Sequence, residues 1–323
     1  MDYKIEFDIL KGFLIIFVIT GHLNVNLGFD VFWFHMPAFF MVTGYLTKNF
    51  LSYKDIILFS NTTNLCNFRK FYKFIIPYFS YCILFFIIFH PENIIKNLIR
   101  ILYGGWNNIT IYSYPYWYIN ALMVGLIYYG SIKGKKYSLY ILIIIYLIIH
   151  TNLLRSLPRP LPWGIDEAFG AVIFIALGDS CKKINLYKPY FFPIIILPFL
   201  FIYLSRFHYF NFELNMQKMI YNNLALDLII PISFTILLLY ISKIVSKVPY
   251  INNCMRLIGN SCITIYFTHT AFILLYKSLG MQNLYMITLI TVLSSTILHH
   301  LFKSNRYTSF HYCPVKNGNW SLK

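Results

Sequence analysis

The chain is 323 residues long, 58% hydrophobic and only 12% charged, about half the charged share of roughly 25% that a soluble globular domain carries. Its mean hydropathy is +0.61, so although the length would admit two soluble domains, the composition points to one membrane domain with no soluble appendage. The net charge of +16 does not read as a nucleic-acid surface, because Lys and Arg fall in short clusters between apolar runs, as in inward-facing membrane loops.

A spanning helix needs about 20 mostly apolar residues. Apolar runs predict helices over residues 9–25, 31–47, 72–89, 117–130, 138–150, 168–180, 190–205, 222–242, 258–276 and 283–302. This is an all-α polytopic membrane bundle of roughly ten transmembrane helices, the shorter ones extending into aromatic flanks or packing inside the bundle. The first run has no small-residue cleavage site and reads as a retained helix, not a signal peptide. Residues 1–303 form the membrane domain and 304–323 a short cytoplasmic tail. With the N-terminus inside, 20 of the 27 Lys and Arg residues fall on the inner side; the other seven (Lys96, Arg100, Arg155, Arg159, Arg206, Lys218 and Lys277) fall outside. Every inner loop is then basic, which places both termini in the cytoplasm.

The outer loops differ in character. Residues 103–117 (YGGWNNITIYSYPYW) are rich in Trp, Tyr and Asn, and 155–167 (RSLPRPLPWGIDE) in proline. Aromatic and amide side chains suit sugar faces and hydroxyls, although an interfacial aromatic belt has the same composition. The six cysteines are scattered with no C-x-x-C pair, so neither a disulfide framework nor a zinc site is expected.

The opening helix carries the most informative pattern, FDILKGFLIIFVITGH, with Asp8, Lys11 and His22. Lys11 and His22 are eleven residues apart, close to three turns, and so lie on nearly one face about 16 Å apart along the axis. Asp8 is placed to pair with Lys11 and reduce the cost of both charges. Gly12 and Gly21 leave room for another helix or a ligand to approach. An ionisable residue inside a membrane defaults to a functional hypothesis, which makes His22 the first candidate. The second run opens FWFHMPAFFMVTGY, and a short turn brings its His35 near the same end of the helix pair as His22. His35 could orient His22, contact an acceptor hydroxyl, or satisfy a backbone carbonyl. Tyr266 and His269, at i and i+3, share a face of the ninth run, where they line a cavity or bond another helix. Asn260 and Ser261 read as interhelical glue.

K-x10-H on a first helix followed by FHMP, FF and GY resembles the acyltransferase-3 family of integral membrane acyltransferases. RKFYKFIIPY is similar to that family's third-helix entry, YWYINALMVG and LPWGIDEAFGAVIFIALG to its middle motifs, and GNSCITIYFTHTAF to its late motif ending in His269. Within the family the flavour resembles the fucose 4-O-acetylase-like sugar O-acetyltransferases. The resemblance implies acetyl-CoA as donor on the cytoplasmic face of a bacterial inner membrane, a glycan hydroxyl as acceptor, and no permanently bound cofactor or metal. It also gives roles to residues. Lys11, Arg69, Lys70 and Lys73 offer positive charge to the phosphates of CoA, or are inside-positive anchors. Trp117, Tyr118, Asp166, Tyr266 and His269 are acceptor-binding candidates. His22, supported by His35 and Asp8, is the catalytic candidate, either as the base that deprotonates the attacking hydroxyl or as the nucleophile that first takes the acetyl group. Many members carry arginine at the position of Lys11, which keeps the charge here but loses the bidentate fork. Some members also carry a C-terminal hydrolase-like domain, and this chain is expected to use a separate partner for that step or none. A non-enzymatic exporter of sugars or lipid-linked sugars is the alternative class, although no repeated halves with broken helices are visible. An acyltransferase using another acyl group, such as succinyl, or a non-sugar acceptor, is the other alternative.

Overall fold

The computed structural model describes residues 5–54, 62–89, 94–104, 114–151, 153–157, 161–184, 186, 192–209 and 211–313, with the backbone alone over 62–71 and at 114. Its helices are α1 (Ile5–His22), α2 (His35–Leu46), α3 (Thr62–Phe89), α4 (Ile94–Tyr103), α5 (Trp117–Ile132), α6 (Ser138–His150), α7 (Glu167–Ser180), α8 (Phe192–Arg206), α9 (Leu226–Val245), α10 (Pro249–Asn260), α11 (Cys262–Ser278), α12 (Leu284–Ser304) and α13 (Arg306–Tyr312). The strands among the described residues are a two-residue pair, β1 (Leu214–Asn215) against β2 (Ile220–Tyr221), antiparallel. The protein is all-α.

A helix stands at each of the ten apolar runs. Among the described residues three segments, Tyr72–Phe89, Leu226–Val245 and Leu284–Ser304, are long and apolar enough to cross a membrane by themselves, and α10 with α11 makes a fourth if that bent pair is one span. Large apolar side chains stand exposed along α6 and α8, among them Leu139, Tyr140, Phe192, Phe199 and Tyr203, the surface a lipid-facing helix needs. The ninth run is not one rod. It is broken at Ser261, where α10 and α11 meet at 76°, because Gly259, Asn260 and Ser261 form a weak helical stretch. Three short helices, α4, α10 and α13, fall outside the apolar pattern or only at its edge. Apolar residues of α4, including Ile95, Ile99 and Leu102, are exposed while Asn97 is buried, and α13 packs back against α3, where the Tyr81 hydroxyl donates to the Tyr312 carbonyl.

The core is organised around α1, whose Ile9, Leu10, Leu14, Ile15 and Ile19 are fully buried. Its backbone meets α10 through glycines. A side chain at Gly12 would meet the Met255 carbonyl at 2.6 Å, and one at Gly259 would strike the Asp8 carbonyl. A second pair of contacts joins α2 to α7, with Gly44 against the Ile175 backbone and Gly178 against the Met41 carbonyl. Lipid is as apolar as leucine, so close backbone approach through small residues holds membrane helices together. A tie between α6 and α9 is polar: His150 Nε2 lies 2.9 Å from Asp227 Oδ2, while His150 Nδ1 donates to the Tyr146 carbonyl at 2.8 Å.

Gly178→Leu is expected to lower stability by about 1–3 kcal/mol, the cost of overpacking. The thermal midpoint of the detergent-solubilised protein measures this. An unchanged midpoint would show that the α2–α7 contact is looser than described.

Candidate active site

The site begins at the turn between α1 and α2. Asn24 and Gly28 adopt left-handed backbone (φ 52° and 81°), which reverses the chain after His22. Asp30 Oδ1 then accepts from the Phe32 N–H at 2.9 Å and caps the single 3₁₀ turn Val31–Trp33, a usual use of Asp at a helix start. That turn leaves the Val31 carbonyl facing the first residue of α2, and His35 Nδ1 donates to it at 2.6 Å. A carbonyl can only accept, so Nδ1 carries the proton and, in the neutral ring, Nε2 is a bare acceptor. Of the roles open to His35 in the sequence, bonding to a backbone carbonyl is occupied, and it leaves the second nitrogen available.

His269 on α11 repeats the device. Its Nδ1 lies 2.7 Å from the Tyr266 carbonyl and 3.1 Å from the Ile265 carbonyl, and its buried Nε2 has no partner among the described residues. The His22 and His269 rings are 5.0 Å apart, centroid to centroid. The Tyr266 hydroxyl donates to the Pro115 carbonyl, fastening α11 to the entry of α5.

His22, His35 and Tyr266 line one cavity with Val18, Phe32, Met36, Pro115, Trp117 and the hairpin residues Asn215, Met216 and Gln217. Its volume is about 20 Å3, room for roughly one water molecule. The hairpin is held over it by the Trp33 indole N–H, which donates to the Phe212 carbonyl at 2.9 Å.

The other candidates lie elsewhere. Tyr118 packs behind the cavity wall, between Phe40 at 4.8 Å and Tyr266 at 5.4 Å. Asp166 is buried, accepts weakly from the Leu161 N–H at 3.3 Å, and is not a lining residue. Asp8 and Lys11 form an ion pair at 2.7 Å toward the opposite end of α1 from His22, with Asp8 only 1% exposed. Gly12 is occupied by helix packing. Lys73 is half-buried on α3 and does not reach the cavity. The side chains of Arg69 and Lys70 lie outside the described residues, as does residues 105–113 of the aromatic loop. The sequence reading missed Gln217 and fully buried Glu167, which follows Asp166. Glu167 sits in the same proline-rich motif as Asp166, while the hairpin carries no signal beyond its place in a predicted outer loop.

A family model described as an acyltransferase domain matches residues 4–300. The chain belongs to the acyltransferase-3 family. The match takes in every helix from α1 to α11 and most of α12, so the cavity and the Asp8–Lys11 pair both lie inside the acyltransferase domain. Comparison with curated proteins and with solved structures finds no match.

Lys11→Met leaves the Asp8 carboxylate buried without its cation and is expected to cost about 3 kcal/mol of stability, as for other broken buried pairs. The double variant Asp8→Asn, Lys11→Met should recover most of it. Thermal unfolding of the three proteins checks this, and a double variant as unstable as Lys11→Met would show that the two side chains are not coupled.

Proposed function

We propose that this acyltransferase moves an acetyl group from cytoplasmic acetyl-CoA to a hydroxyl of a sugar in a cell-surface polysaccharide or its lipid-linked precursor, in a bacterial inner membrane. The observation that carries the reading is the His35 ring. The Val31 carbonyl accepts a hydrogen bond from its Nδ1–H, which leaves Nε2 bare on a ring that lines a cavity shared with His22. An unprotonated imidazole is the usual general base for an alcohol near neutral pH.

In this scheme the sugar hydroxyl gives its proton to an imidazole of the His22–His35 pair as its oxygen attacks the thioester carbonyl. His269 offers its bare Nε2 beside the His22 ring. An N–H donated from His22 to that nitrogen would fix which His22 nitrogen is basic, a positioning role. Trp117 and Tyr266 supply aromatic walls for the acceptor. The donor approaches from the Asp8–Lys11 end of α1, where the ammonium suits the phosphates of CoA, and its pantetheine arm runs along that helix. The aromatic outer segments and the basic inner clusters support a glycan on one side and a nucleotide donor on the other.

Inverted membrane vesicles supplied with radiolabelled acetyl-CoA test this. Label should enter the glycan fraction in an alkali-labile linkage, and His22→Ala or His35→Ala should each lower the rate by about 10²–10⁴-fold, the range for losing a general base. Wild-type incorporation by both variants would remove the histidine pair from the chemistry. Incorporation of succinyl but not acetyl groups would change the donor.

A further inference from the structure

The acyl-transfer reading leaves the developing negative charge on the thioester oxygen without an assigned partner, and the cavity points to one. Its histidine wall is made of acceptors. His35 donates its Nδ1–H to the Val31 carbonyl and so has Nε2 as a bare acceptor, and the Tyr266 hydroxyl donates to the Pro115 carbonyl. Facing these, the hairpin brings Gln217 to the same cavity. Gln217 is 7% exposed, and its Nε2 is buried with no hydrogen-bond partner among the described residues. A buried amide N–H2 without an acceptor costs about 1–3 kcal/mol. Its place beside a basic imidazole is where an anionic oxygen would satisfy it.

We infer that Gln217 is the oxyanion donor of this site. The alcohol oxygen forms a bond to the thioester carbon while its proton passes to an imidazole of the histidine pair. The C=O π electrons move onto oxygen, where the Gln217 amide donates to it. Collapse of that intermediate breaks the C–S bond, and the departing CoA thiolate takes the proton back from the imidazolium. Donors aimed at the charge that develops in the transition state raise kcat with little effect on ground-state binding. Trp117 lines the same cavity, and its indole N–H would be the second donor.

The inference rests on the acyl-transfer reading, and the vesicle assay separates the two. Gln217→Met keeps the length and volume of the side chain and removes the donor; Gln217→Glu keeps the shape and replaces N–H2 with an acceptor that repels an oxyanion. Both are expected to lower kcat by about 10²–10³-fold while the KM for acetyl-CoA stays within about threefold, at unchanged protein level and thermal midpoint. If wild-type vesicles transfer acetyl groups and Gln217→Met keeps its kcat, or loses only KM or stability, the oxyanion assignment is overturned and the functional reading stands. Wild-type vesicles that incorporate nothing overturn both. If Gln217→Glu fails to fold, Gln217→Met decides alone.

Discussion

A histidine among apolar helices must donate its ring N–H to an acceptor of the protein, because no bulk water is there to accept it. Three histidines here solve this in one way, each donating Nδ1–H to the carbonyl four residues earlier: His35 to Val31, His150 to Tyr146 and His269 to Ile265, the last shared with Tyr266. The backbone thereby decides which nitrogen is basic. What happens at the other nitrogen separates structure from chemistry. His150 commits its Nε2 to Asp227 and ties α6 to α9. His269 Nε2 makes no such bond among the described residues; its ring lies near that of His22, and His35 shares the cavity with His22. The placement of the proposed base follows from the capped turn Asp30–Trp33 that fixes the His35 tautomer more than from the imidazole itself.

The glycine contacts serve the same end at longer range. Gly12 and Gly259 bring α1 and α10 into backbone contact, and the 76° break that follows sends α11 toward the His22 end of α1. Without the break, α11 would continue the line of α10 and His269 would not lie beside His22. Gly44 and Gly178 hold α2, and with it His35, against α7. His22 and His35 are therefore carried by helices that approach their partners only because a side chain is missing, and His269 by the helix that follows one of those contacts.

Much of this was legible in the sequence. Each of the ten apolar runs holds a helix, the ninth split between two, and the spacing of Asp8 and Lys11 announced their ion pair. His22, His35, Trp117 and Tyr266 were singled out, and they line one cavity. Other features are set by tertiary contacts that leave no local period. Hydropathy does not report the direction of a helix axis, so the 76° bend at Ser261, near the start of the ninth run, was not legible in it. The hairpin has strands of two residues, too short for an alternating pattern, and it is held by the Trp33 indole bonding to Phe212, a pairing 179 residues apart. Gln217 came with that hairpin and could not be read as part of a histidine site. Asp166 was a candidate as a carboxylate in a predicted outer loop, yet it is buried at the start of α7 and does not line the cavity.

One rigid element carries both ends of the proposed chemistry. From Lys11 to His22, α1 is an unbroken rod buried on most sides, and its rise fixes those two positions about 16 Å apart along the axis. It acts as a ruler. A donor anchored by its charge at one mark delivers its reactive carbon to the other only if its linker has the matching reach, so selection among acyl donors would be made by the length of the handle before the acyl group is ever inspected.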